Sequence, residues 1–315
     1  MIVWLLRRIG QIVPTLLILS VMIFGLQQLM PGDPAVILAG EERGDPLVLA
    51  QIRAELFLDR SLAEQYLRWL GRVLHGDFGF SWRIRMPVGQ LVLEKLPVTF
   101  QLASMAFVIG IVIGVPMGIL SAVRRDRPAD WMANGIALFG ISMPNFWLGI
   151  MMILLFSVEL GWLPPSGYVP LTEDPLQSLA TTIMPAFVLG TGIASVLMRH
   201  TRAAMLTALS QDYVRTARAK GLREKTVVWK HALRNALIPV VTLGTLEFGR
   251  LLAGAVLTAQ LFSIPGFGKL VVDAVFNRDY PVVQGVVLVT ALIFVTLSLV
   301  ADMLYMAINP RLRQA

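Results

Sequence analysis

The sequence contains no cysteine in 315 residues, which excludes disulfides, thiolate metal sites and cysteine nucleophiles. Charge is scarce as well. Asp, Glu, Lys and Arg make up 15 % of the chain, where a soluble domain carries about 25 %. No G-x-x-x-x-G-K-S/T phosphate loop is present, because GFGK at 266–269 lacks the first glycine and the hydroxyl residue. Neither a G-x-S-x-G elbow nor an H-E-x-x-H zinc helix occurs, and His75, His200 and His231 lie in separate segments. These absences leave no catalytic constellation and no metal or cofactor site, so the chain is expected not to hydrolyse ATP alone. It also lacks internal repeats, low-complexity tracts and a soluble domain at either end, and one membrane domain over 1–315 is expected.

Hydrophobic residues, by contrast, reach 56 %, and the mean hydropathy is +0.70. They fall in runs long enough to cross a bilayer, which takes roughly 20 helical residues. Six spans are predicted, at about 9–30, 99–123, 131–158, 181–198, 236–258 and 284–307, giving an all-α polytopic membrane protein. The first run follows Arg7 and Arg8 like a signal peptide but has no small-x-small cleavage site, so an uncleaved helix is expected. The net charge of +7 does not point to nucleic acid, because the basic residues lie between apolar spans rather than on one soluble face. Segments 1–8, 124–130, 199–235 and 309–315 hold sixteen Lys and Arg and four acids, whereas 31–98, 159–180 and 259–283 hold ten and fourteen. Positive charge collects on the cytoplasmic side, so both termini are expected there, with an extracytoplasmic segment at about 31–98.

Within that outer segment Leu62, Tyr66, Leu67, Leu70, Val73 and Leu74 recur at helical spacing, reading as an amphipathic helix that covers the protein's own spans or a partner. Gly110, Gly114 and Gly118 recur every four residues, a spacing that lets two helices approach closely. Pro116, Pro144, Pro185 and Pro239 interrupt apolar runs. Three charges fall inside spans: Glu247 and Arg250, three residues apart on one face, and Asp302 in the last span. They read either as a structural pair with Asp302 near the inner headgroups, or as the proton or substrate site of a self-contained secondary transporter.

The loop SQDYVRTARAKGLREKTVVWKHALRNALIPV, residues 210–240, is too long for a turn. Its small and apolar positions alternate with Arg and Lys at helical spacing, predicting a helix, a turn at Gly221 and a second helix running into the next span. The blander reading is a basic helical loop that snorkels at the headgroups. DYVRTARAKGL followed by HALRNALIPV resembles the cytoplasmic EAA loop in permease subunits of ABC importers for dipeptides, oligopeptides, nickel and related solutes. MPGDPA, QYLRWL, GDFGFS, MPNFWLG, GWLPPSGY, FSIPGFGKL, RDYPVVQG and NPRLR carry the resemblance along nearly the whole chain in order.

The resemblance implies a type I ABC importer-like permease of the bacterial cytoplasmic (inner) membrane, working in peptide transport as half of a translocation pathway. Its implied partners are a second homologous permease, two cytoplasmic ATPase subunits that bind ATP and Mg, and an extracytoplasmic solute-binding protein. It further implies that Asp212, Tyr213, Arg215, Thr216, Ala217, Lys220 and Gly221 couple to an ATPase groove. Arg215 and Thr216 stand where the family's name-giving Glu and Ala do, Ala259 where a Glu is frequent, and Phe57 and Ser61 where Gly and Pro are common.

Overall fold

A computed structural model describes residues 2–29, 34–39, 45–55, 57–81 and 83–308. Residues 30–33 of the MPGDPA block and all of NPRLR lie outside them. The order is α1 (Ile2–Leu29), α2 (Pro34–Ala39), α3 (Pro46–Glu55), α4 (Leu62–Leu74), a β1–β2 hairpin (Phe80–Ser81, Met86–Pro87), α5 (Val88–Val123), α6 (Pro128–Ser142) and α7 (Asn145–Met152). A π-helical turn (Ile153–Glu159) prolongs α7. Then come α8 (Pro175–Leu209), α9 (Asp212–Ala219), α10 (Glu224–Thr226), a second π-helical turn (Val227–Ala232), α11 (Leu233–Gly254), α12 (Val256–Leu261), α13 (Phe267–Phe276) and α14 (Tyr280–Ile308).

Among the described residues three helices are long and apolar enough to cross a membrane: Val88–Val123, Pro175–Leu209 and Tyr280–Met303. The expected straight span at 131–158 is instead a pair, α6 and α7, bent by 99°. The cause is local. A residue before proline is pushed out of the α region, and Met143, preceding Pro144, sits at φ −78°, ψ 125°. Pro116, Pro185 and Pro239 remain inside continuous helices. In α11, Glu247 and Arg250 interrupt the apolar run, and in α1 the described apolar stretch is only Gly10–Gly25.

The chain packs as two compact units, one comprising 1–96 and 270–292, the other 97–269 and 293–315. In the first, α4 begins at a Ser61 cap, whose hydroxyl accepts the Glu64 N–H. Its packed face differs in phase from the expected one. Trp69 is buried with Phe24, Ile23 and Leu288, and Tyr66, Leu70 and Val73 pack beside them, while Leu62, Leu67 and Leu74 are exposed. Aromatic area explains the shift, since the larger indole and phenol rings bury more apolar surface than leucine. The Tyr66 hydroxyl also pairs with Ser20 at 2.8 Å.

The second unit is built on the contact of α5 with α8. A Cβ on Gly114 would meet the Ala194 backbone, one on Gly118 would lie 2.6 Å from the Met198 carbonyl oxygen, and one on Gly110 would lie 2.6 Å from Ile193 Cγ2. The four-residue glycine spacing therefore marks a true close approach. Around it, Leu102, Ala106, Met184, Val188, Leu197, Leu252, Phe262 and Ile264 form the main core.

Candidate functional site: a coupling surface and the buried charges behind it

The segment predicted to couple is helix α9. Asp212 in its first turn and Arg218 in its last agree with the helix dipole. Val214 and Ala217, three apart, are buried with Ile119 and Ala122 of α5, Met205 and Ala208 of α8, and Val227, Val228 and Ala232 of the second π-helical turn. The helix thus lies across the ends of three others. Its C-terminus closes with the Gly221 N–H on Arg218 O (2.9 Å) and the Leu222 N–H on Ala217 O (3.3 Å), the paired bonds of a Schellman cap. Gly221 adopts φ +73°, and nothing lies within 4 Å of a Cβ there, so backbone conformation rather than space demands glycine.

Across the turn, Arg218 forks onto Glu224, with Nη2 at 2.7 Å from Oε1 and Nε at 3.1 Å from Oε2. This hydrogen bond holds the Glu224 carboxyl below the usual glutamate range and raises the Arg218 guanidinium. The Glu224 helix runs through the π-helical turn into α11, as the sequence suggested. Of the seven expected coupling residues, Asp212, Tyr213, Arg215, Thr216, Lys220 and Gly221 are exposed. Ala217 faces inward and anchors the helix. The Asp212–Arg215 pair, at 3.4 Å, is open to solvent on both sides and adds little stability.

Glu247 and Arg250 do pair, Arg250 Nη1 donating to Glu247 Oε1 at 2.8 Å. The carboxylate is buried and the arginine side chain is 72 % exposed. Asp302 lies half-buried near the end of a different helix, α14.

Sequence reading missed a densely bonded charge cluster. Asp130 at the start of α6 is 3 % exposed. Its Oδ1 accepts from Arg202 Nε at 2.8 Å, from Asn134 Nδ2 at 2.6 Å and from the Ser121 hydroxyl; its Oδ2 accepts from Arg202 Nη2 at 2.8 Å and the Asp126 N–H at 3.0 Å. The one local signal is RPADW, which places proline at the first helical position and an acid in the first turn. Assigning 124–130 to a loop concealed it.

Two blocks behind the resemblance also gain a physical reason. In GWLPPSGY, the Tyr168 hydroxyl donates to Gln101 Oε1 at 2.8 Å, and Gln101 Nε2 donates to Ser178 at 2.8 Å. Burial, with Glu173 nearby, pushes the phenol up. In RDYPVVQG, buried Asp279 accepts from the Val282 N–H at the start of α14 and from the Ser81 hydroxyl of GDFGFS at 2.5 Å. Burial pushes this carboxyl up against those bonds. Among the described residues no three His, Asp or Glu side chains gather as metal ligands would.

Comparison with known proteins places the chain as a whole. The chain is 43 % identical to the dipeptide transport system permease protein DppB of Escherichia coli K12, covering 99 % of each chain. It is 44 % identical to the glutathione transport system permease protein GsiC of Salmonella paratyphi A, covering 98 % of each. Its fold resembles a chain of the MetNI methionine ABC transporter in an inward-facing conformation, with a TM-score of 0.59 at 19 % identity over 70 % of this chain and 97 % of that one. Residues 1–103 match the N-terminal component of binding-protein-dependent transport system membrane proteins. Residues 114–314 match the family described as binding-protein-dependent transport system inner membrane component, and the chain belongs to that family.

Proposed function

We propose that this chain is the permease half of an ATP-driven importer for small peptides or a related solute. In this reading it pairs with a second, similar permease, receives solute from an extracytoplasmic binding protein, and is driven by two cytoplasmic ATPases that hold ATP and Mg. The observation that carries the reading is α9. Val214 and Ala217 pin it to the ends of three long helices while its charged face stays open, as a helix that takes a push from a partner must be. Peptide cargo is proposed because the relatives bear the names of dipeptide and glutathione systems. The six spans become α1, α5, the bent α6–α7 pair, α8, α11 and α14. The excess of Lys and Arg in 199–235 supports cytoplasmic termini in the inner membrane. The paired Glu247 and Arg250 then face the second permease or the passage, since an exposed guanidinium is costly against lipid.

Reconstitution tests the assignment. The isolated chain in lipid should hydrolyse no ATP, and the complex with ATPases, second permease and binding protein should couple hydrolysis to peptide uptake. Uptake by the isolated chain driven by an ion gradient would instead establish the secondary carrier, with Glu247, Arg250 and Asp302 as its site.

A further inference from the structure

We propose that Asp130 and Arg202 are positioning residues for coupling: their ion pair is the joint through which movement of α9 reaches the α6–α7 arm. The inference rests on the importer reading above. Its physical basis lies within one compact unit, at a buried Asp130 carboxylate and a partly buried Arg202.

Arg202 sits seven residues before the end of α8. Met205 and Ala208, in the turns that follow, share a buried cluster with Val214 and Ala217 of α9, so α9 cannot shift without carrying the end of α8 with it. From that end the guanidinium reaches Asp130 in a two-bond fork, and Ser121 ties the same carboxylate to α5. Both oxygens of Asp130 are saturated. A fork between planar charged groups is directional as well as strong, so it resists sliding and rotation together.

Beyond this joint α6 is held differently. Ala133 and Ala137 meet Met198 and Met117, a contact of small and flexible apolar groups with no directional bond. Toward the elbow at Met143 an apolar cavity of about 280 Å³ opens, lined in part by Met117, Ile136, Phe187 and Met198. After the 99° bend, α7 packs closely on α12, where a Cβ on Gly149 would lie 2.6 Å from Leu261 Cδ2. The helix is therefore gripped at its base by charge, borders a cavity at its elbow beside the close approach of Gly140 to the Ser195 side chain, and ends on a second element. A displacement delivered through α9 turns α6 about the gripped base and moves α7 and α12. Without the pair, the alanine and methionine contacts would let α8 slip past α6.

The test uses the assembled complex in proteoliposomes, measuring solute moved per ATP hydrolysed for Asp130→Asn, Arg202→Gln and Arg202→Lys. Lysine keeps the charge but loses the fork. Complex yield and hydrolysis stimulated by loaded binding protein are expected to stay near wild type. Solute per ATP should fall on the order of tenfold for Asp130→Asn and Arg202→Gln, within the usual range for coupling residues, and less for Arg202→Lys. A wild-type ratio in all three variants would overturn the proposal. So would uptake, hydrolysis and complex yield falling in parallel, the lysine variant included, because that result describes a scaffold bond. If the wild-type complex itself showed no ATP-driven uptake, the importer reading would fail first, a result distinguishable from failure of the pair alone.

Discussion

The glycine stripe on α5 permits a graded prediction. A Cβ at position 114 would stand 2.9 Å from Ala194 Cα and 3.0 Å from its carbonyl carbon. Carbon atoms pack at about 3.5–4.0 Å, so Gly114→Ala must part α5 from α8 by roughly 0.5–1 Å. Overpacking of this kind costs about 1–3 kcal/mol, and the helix recovers up to about 1 kcal/mol because alanine is the better helix former. The opposing atoms are backbone and cannot rotate away, so a net loss of about 1–2 kcal/mol is expected, within the overpacking range. Gly118→Ala should behave alike, since it meets the Met198 carbonyl oxygen and Thr201 Cβ, each at 2.6 Å. Gly110→Ala meets Ile193 Cγ2 at 2.6 Å and Ile193 Cβ at 2.9 Å; the methyl can turn aside but the Cβ is fixed to its backbone, so a loss similar to or slightly below that of Gly114→Ala follows.

Gly135→Ala on α6 is the control, because nothing lies within 4 Å of its Cβ, and it should be neutral or stabilising. Thermal melting of the purified complex in detergent, at matched lipid content, orders the four variants. If Gly114→Ala melted at or above wild type, the close helix crossing and the reasoning built on it would be wrong.

Two further perturbations bear on the site. Gly221→Val should abolish ATPase association and uptake at unchanged membrane abundance, because a β-branched residue is strained at φ +73°; Gly221→Asn should retain much of both and Lys225→Ala nearly all, and normal uptake by the valine variant would remove the mechanical argument for α9. Glu247→Arg and Arg250→Glu should each impair assembly or transport and the double reversal should restore part of it, whereas a double variant as defective as the worse single one would point to partners on another helix.

The sequence disclosed those features whose cause is local. Apolar run length announced the long helices, the four-residue glycine spacing announced the α5–α8 crossing, and Gly221 marked a turn that only its backbone angle required. Glu247 and Arg250 were legible as a pair because i and i+3 share a helix face. What escaped depends on partners distant in the chain. Asp130 and Arg202 are 72 residues apart, and neither fork nor burial leaves a trace in local composition. The bend at Pro144 was ambiguous because proline alone does not decide it: Val115 and Met184 also precede prolines, yet their helices stay continuous. On α4 the helix was foreseen and Tyr66, Leu70 and Val73 of its expected face do pack, but Leu67 and Leu74 do not, because hydropathy weights them above Trp69, whereas ring area placed Trp69 against Phe24.

The kinds of bond found along the second unit imply a division of labour. Within lipid, apolar surface gives helices little reason to associate, so close packing and a few polar bonds must do it. Between α5 and α8 the packing is tight over three glycines, against backbone at Gly114 and Gly118 and against the base of the Ile193 side chain at Gly110. Between α6 and α8 there is instead a saturated ion pair at the base, small side chains above it, and near the elbow a cavity beside a single close approach, where a Cβ on Gly140 would meet the Ser195 hydroxyl. In the proposed coupling these two contacts are complementary: the α6–α7 arm moves usefully only if the α5–α8 crossing, the clamp beside it, does not. Since α9 rests on the ends of α5 and α8 and on the approach to α11, the proposed coupling has force enter the clamp first, and the carboxylate of Asp130 supplies the short directional bonds that lead from the clamp into the arm.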